Sequence, residues 1–137
     1  MPTLDEFVDR YRSEIDGPKA VPDLFAARGM LASLEFFSAK ELERYLTTYG
    51  WLGYKSVEFY GMGDGFFDMS DETVKLRDAW PMTNGYASLE SLGDGAWALC
   101  DGHGRVFRFL SESMRLEDLH MQLEEYILGR FLEADEL

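Results

Sequence analysis

The stretch from Leu92 to Leu110 constrains this chain more than any other. It reads Leu-Gly-Asp-Gly-Ala-Trp-Ala-Leu-Cys-Asp-Gly-His-Gly-Arg-Val-Phe-Arg-Phe-Leu, two apolar runs separated by Asp101, Gly102, His103 and Gly104. Glycine tolerates positive φ and aspartate bonds its own following backbone, so the short polar segment reverses the chain. Ala96 to Cys100 is apolar throughout, as in a strand covered on both faces. In the second run Val106 and Arg108 point one way, and Arg105, Phe107 and Phe109 the other. The reading is a β-hairpin over 96–109 at the middle of a mostly antiparallel sheet. Its core candidates are Trp97, Leu99, Phe107 and Phe109.

Helical signals flank this hairpin on both sides. Thr3 and Glu6 stand at capping-box spacing before an apolar stripe of Leu4, Phe7, Val8, Tyr11 and Ile15, so a first helix is expected from Thr3 to Ile15, ended by Gly17-Pro18. Between Val21 and Phe37 a short helix through Ala27, closed by Gly29, precedes Leu31 to Phe37, which fits helix or strand and is read as helix. Ser38 and Glu41 open a third helix with Leu42, Tyr45, Leu46 and Tyr49 on one face, stopped at Gly50. Tyr54 to Tyr60 is a strand candidate, and Gly61 to Gly65 a flexible loop. Ser70 is placed to cap a helix over Asp71 to Ala79, and Tyr86 to Leu89 forms a short strand. A last helix is expected from Arg115 to Leu128, with Leu116, Leu119, Leu123 and Ile127 buried and Gly129 as its stop; the acidic tail from Glu133 frays. The expected class is α+β, with the N-terminal helices and a C-terminal helix packed on the sheet, in one domain over residues 1–137.

A hydrophobic content of 46% provides for an ordinary core, and the net charge of −13 says more about partners. Such a chain is repelled by nucleic acid and by anionic membranes; its charge either serves solubility alone or complements a cationic protein. Cys100 stands alone, which excludes an internal disulfide. The start is acidic where a secretory signal is basic, and no apolar run approaches the ~18 residues of a membrane span, so a cytoplasmic protein is expected. His103 and His120 have no spaced nucleophile or acid partner. Gly61-Met62-Gly63-Asp64-Gly65 lacks the Gly-Lys-Ser/Thr of a phosphate loop, no Cys/His set has zinc spacing, and Asp64, Asp68, Asp71 and Glu72 lack the alternation of a calcium loop. No catalytic residue, cofactor or metal is therefore expected.

Several segments in order resemble the SUKH superfamily, the Smi/Knr-like group. The helix Ala39 to Tyr49 resembles that family's early helix ending in Tyr-Gly, and Val57-Glu58-Phe59-Tyr60-Gly61-Met62-Gly63 resembles its strand and aromatic-Gly turn. Leu92-Gly93-Asp94-Gly95, Ala96 to Cys100, Asp101-Gly102 and Arg105 to Phe109 are similar to its Gly-Asp-Gly strand, turn and Val-aromatic strand, and Leu116 to Leu128 to its closing helix. The resemblance covers residues 38 to 128. It implies a non-catalytic α+β domain, in bacteria typically an immunity protein that binds and neutralises a cognate toxin, often a nuclease. The alternative it implies is an intracellular regulator or scaffold that binds a host protein. It carries over no site residues, because the family's binding surfaces vary, and it leaves the oligomeric state open.

Acid concentrates on two surfaces. One is the loop and short helix from Glu58 to Asp78; the other is the last helix with its tail, bearing Glu117, Asp118, Glu124 and Glu125. Loops presented by a rigid scaffold are where recognition usually sits, and aromatics there supply anchors. The candidate partner-binding residues are therefore Glu58, Tyr60, Asp64, Phe66, Asp68, Asp71 and Glu72.

Overall fold

The computed structural model describes residues 2–63 and 68–136. Among the described residues five α-helices accompany two antiparallel sheets, one of three strands and one of four, so the fold is α+β as the sequence indicates.

Helix α1 (Leu4–Arg10) starts where expected: Thr3 accepts the Glu6 N–H at 3.2 Å, and Leu4, Phe7 and Val8 are buried. It stops short of Ile15. The residues Ile15–Asp16 form β1, which pairs with Tyr54 and Gly53, so sheet pairing takes over the end of the predicted helix. Helix α2 (Leu24–Ser33) is a single helix that runs through Gly29 instead of closing there. Asp23 caps it by accepting the Ala26 N–H at 2.8 Å. Its exit is a Schellman turn: Glu35 takes φ 70°, its N–H donates to Ala32, and the Phe36 N–H donates to Leu31. The expected helix over Leu31 to Phe37 thus ends at Ser33, and Phe36 folds back into the core.

Helix α3 (Lys40–Thr48) buries Leu42, Tyr45 and Leu46, as the periodicity predicts, but Ala39 is its N-cap and Ser38 makes no capping bond. The strand expected over 54–60 is a tight hairpin, β2 (Leu52–Tyr54) with β3 (Val57–Phe59), completing the three-stranded sheet in the order β1-β2-β3. The loop that follows starts under constraint. A Cβ on Gly61 would lie 1.8 Å from the Gly50 carbonyl oxygen, and the Met62 N–H donates to that same oxygen. Helix α4 (Met69–Ala79) is capped by Asp68, not Ser70, and leads through a 3-10 turn (Pro81–Thr83) into the larger sheet.

That sheet is β4 (Ala87–Gly93), β5 (Ala96–Cys100), β6 (Arg105–Leu110) and β7 (Arg115–Gln122), in sequence order. The predicted hairpin is β5–β6, and it lies at the centre. Its two faces are unequal. Ala98, Cys100 and Val106 join the main core, whereas Leu99 and Phe109 are buried in a smaller cluster with Trp80, Tyr86, Trp97 and Leu116. The aromatic face expected to be the core is therefore the lesser one. Trp97 and Phe107 on it are only half-buried.

The largest departure from expectation lies at residues 115–135. Arg115 to Gln122 is a strand, and helix α5 (Leu123–Asp135) follows it. Leu116 and Leu119 suggest a helix by their spacing, yet in a strand three residues apart means opposite faces. Leu116 packs in the smaller cluster and Leu119 against the main core. The long free edge of β6 needs a partner, and pairing with five residues of β7 outweighs a weak helical period. Gln122 and Glu125 form a capping box that starts α5, which runs past Gly129 and takes in Glu133 to Asp135 of the tail expected to fray, with Phe131 and Ala134 buried.

Gly129 does not stop α5 but lies inside it, and a Cβ there would meet nothing within 4 Å. Glycine in a helix interior costs backbone entropy that alanine does not. Gly129→Ala should therefore raise the unfolding free energy by about 0.5–1 kcal/mol, seen as a higher urea midpoint.

Candidate functional site

The first predicted surface is assembled where the small sheet meets α4. In β3 the alternation buries Val57 and Phe59 and turns Glu58 to solvent. The next residue, Tyr60, fastens the small sheet to the large one: its N–H donates to Leu89 at 2.8 Å, and its carbonyl accepts the Tyr45 hydroxyl at 2.9 Å. Its half-buried phenol has a raised pKa, chiefly through burial and then through the nearby Glu72, Glu90 and Glu58 carboxylates. Asp68 is brought back beside Gly61 by a parallel bridge, with the Met69 N–H donating to the Gly61 carbonyl at 2.8 Å. From there Asp68 accepts the Asp71 N–H at 3.1 Å and starts α4.

Glu58, Tyr60, Asp68, Asp71 and Glu72 thus share one region, as the sequence suggested, while Asp64 and Phe66 lie outside the described residues. Their charges are not equally available. Glu72 has Lys75 at 3.4 Å, but among the described residues no cation pairs with Glu58, Asp68, Asp71 or Asp78.

The second acidic surface differs in this respect. Glu117 and Asp118 lie on β7, not on a helix, and each faces arginine: Arg108 at 3.7 Å from Glu117, and Arg105 at 3.1 Å from Asp118. Glu124 is held by Arg44 at 2.6 Å, and Glu125 is consumed in the capping box. His120 also lies on the strand, with φ 57°, its N–H donating to Asp118. This surface is acidic by composition but largely neutralised by its neighbours.

Three polar clusters adjoin these surfaces. The Tyr49 hydroxyl donates to Asp5, which Arg44 also holds at 2.8 Å, and the two together keep the Asp5 carboxyl below its ordinary range against some desolvation. Glu41 is pushed the other way by burial and by the Glu124 and Asp101 carboxylates. Deepest is Glu90, gripped by Tyr126 and Arg130 beside an open cleft of about 250 Å³ that Leu92, Leu119 and Met121 help to line. His103 is exposed at the β5–β6 turn, its N–H donating to Asp101 at 2.9 Å. Among the described residues no three His, Cys, Asp or Glu side chains are grouped to hold a metal ion, and no helix is long and apolar enough to cross a membrane.

Compared with protein-family models and with curated proteins, the chain matches none. One feature of the surface escaped sequence reasoning. Val21, Leu24 and Phe25, in the stretch where a short helix through Ala27 is expected, are exposed. Their only signal is the Asp23 cap, which fixes which residues of α2 turn inward.

Proposed function

We propose that the chain is a non-catalytic, SUKH-type protein-binding domain, a cytoplasmic immunity protein that neutralises a cognate cationic toxin. The observation that carries this reading is the unequal use of charge. Arg44, Arg105, Arg108 and Arg115 are drawn to the acids of the β7–α5 side, while Glu58, Asp68, Asp71 and Asp78 keep their charge uncompensated among the described residues. A field of one sign on one side of a molecule steers an oppositely charged partner and speeds its encounter. A nuclease is cationic where it holds phosphate, so such a face can occupy that surface in place of the polyanion.

The test is association kinetics with the product of the adjacent gene. Glu58→Lys, Asp71→Lys and Asp78→Lys together spare the Asp68 cap. They should slow association more than about tenfold at low salt, with little change in dissociation, and the difference should fade as salt screens the field. An unchanged association rate would move the binding face elsewhere. An adjacent product that neither binds nor is inhibited would remove the immunity reading altogether.

A further inference from the structure

Phe25 is 89% exposed, and Val21 and Leu24 beside it are each 44% exposed. The cause is local. Asp23 fixes the start of α2, the helix turns Ala27 and Leu31 inward, and Phe25, two residues before Ala27, faces the opposite way. Isolated exposed apolar residues are ordinary, but three within five consecutive positions at the start of one helix, one of them an aromatic ring, are of the kind that marks contact surfaces.

Two further observations give the patch a setting. Val21 also lines a cleft of about 300 Å³ whose apolar wall includes Val8, Ile15 and Leu52, so the patch continues into a recess. Pro18, on the rim of that cleft, lies against Gly63, where a Cβ would come within 2.8 Å of the proline Cβ. Gly61 is in turn bridged to Asp68. The rim of the cleft therefore reaches Gly63, two residues from the Gly61 that is bridged to Asp68.

The rim is acidic. Asp16 and Asp23 are exposed; of the cations around them, Arg12 pairs with Asp9, Arg28 pairs with Glu43, and the exposed Lys19 is also partnered. A second copy of the chain is a poor occupant, since it would bring another charge of −13 to an acidic rim.

From this we infer that Val21, Leu24 and Phe25 form the apolar centre of a docking surface for a basic protein. Lysines or arginines of that protein meet Asp16, Asp23 and the acids that open α4. The inference rests on the cationic-partner reading above and deepens it. Charge brings the partner in, and Phe25 rather than Tyr60 is the anchor that holds it.

The experiment is a selection of short random peptides, displayed on phage, against the full-length chain, with recovered peptides measured against variants. Recovered sequences should combine Arg or Lys with apolar residues. They should bind Phe25→Ser about tenfold or more weakly, while that variant melts like the parent because the ring is already exposed. Asp16→Asn with Asp23→Asn, which retains a capping side chain, should weaken binding at low salt only.

Basic peptides that bind Phe25→Ser as well as the parent overturn the surface and leave the proposed function standing. So does a selection in which nothing distinguishes the two. Peptides lost on Phe25→Ser but lacking basic residues overturn the partner class and count against the cationic-toxin reading too. A dimer seen by sedimentation in high salt and abolished by Phe25→Ser makes the patch a self-association surface, which also overturns the inference.

Discussion

Replacing Phe131 with alanine should lower the unfolding free energy by about 3–5 kcal/mol, the range for deleting a large aromatic from a sealed core. The ring is fully buried and meets three others, Phe7 at 5.8 Å, Tyr54 at 5.7 Å and Phe59 at 5.6 Å between centroids. Those rings come from α1, β2 and β3, so a single side chain on α5 joins the first helix, the small sheet and the last helix. No neighbour is free to collapse into the space, because each ring is also held by its own backbone element. Urea melts would measure the loss, with Glu136→Ala on the exposed end of the chain staying within about half a kcal/mol. A loss for Phe131→Ala below about 1 kcal/mol would mean that the second half of α5 does not dock.

This prediction falls on a residue that lies past the helix stop expected at Gly129 and before the tail expected to fray from Glu133, and the reason is physical. Local patterns report local choices. The β5–β6 hairpin was legible because strand, turn and strand lie within one short stretch, with Asp101 accepting the N–H groups of His103 and Arg105 inside the turn. The faces of that hairpin were legible as an alternation, but not which face meets the larger core. Alternation gives no information about what is packed above. Here the face with the small residues Ala98 and Cys100 joins the main core, and α5 packs there on β6 and β7. Arg115 to Gln122 carries no strand signal of its own because the pairing that makes it a strand resides in β6.

The candidate site divides along the same line. That Glu58 to Asp78 is acidic needs only the sequence. Which acids remain uncompensated depends on partners far along the chain: Arg44 reaches Glu124 across 80 positions, and Tyr54 reaches Asp135 across 81. No spacing rule encodes such pairs. The exposed Phe25 is a milder case. Its outward direction follows once Asp23 is known to be the cap, but Val21-Pro22-Asp23 offers more than one place for a helix to begin.

Removing the Arg130 guanidinium should cost nearly as much as removing the Phe131 ring, for the opposite reason. Glu90 lies on β4 with 2% of its surface exposed, and a carboxylate so buried must be compensated. Arg130 grips it with two parallel bonds, from Nε at 2.9 Å and from a terminal nitrogen at 3.0 Å, and the Tyr126 hydroxyl donates a third at 2.6 Å. Arg130→Met keeps most of the packing and strands the charge. The expected loss is about 3 kcal/mol at neutral pH, the low end for a broken buried pair because Tyr126 still donates and the arginine side reaches solvent. Adding Glu90→Leu and Tyr126→Phe to Arg130→Met should recover most of the stability, because an apolar set of similar size replaces a buried ion pair at little cost. Denaturant melts of the single and triple variants decide this: a triple variant no better than the single would mean that the helix is held by shape alone. The consequence reaches the candidate site, because β4 also accepts the Tyr60 N–H through Leu89. Glu90 ties α5 to the same strand that positions the acidic region, so the triple variant should keep both its fold and its association rate with a cationic partner. The single variant should lose stability first, and binding only as it unfolds.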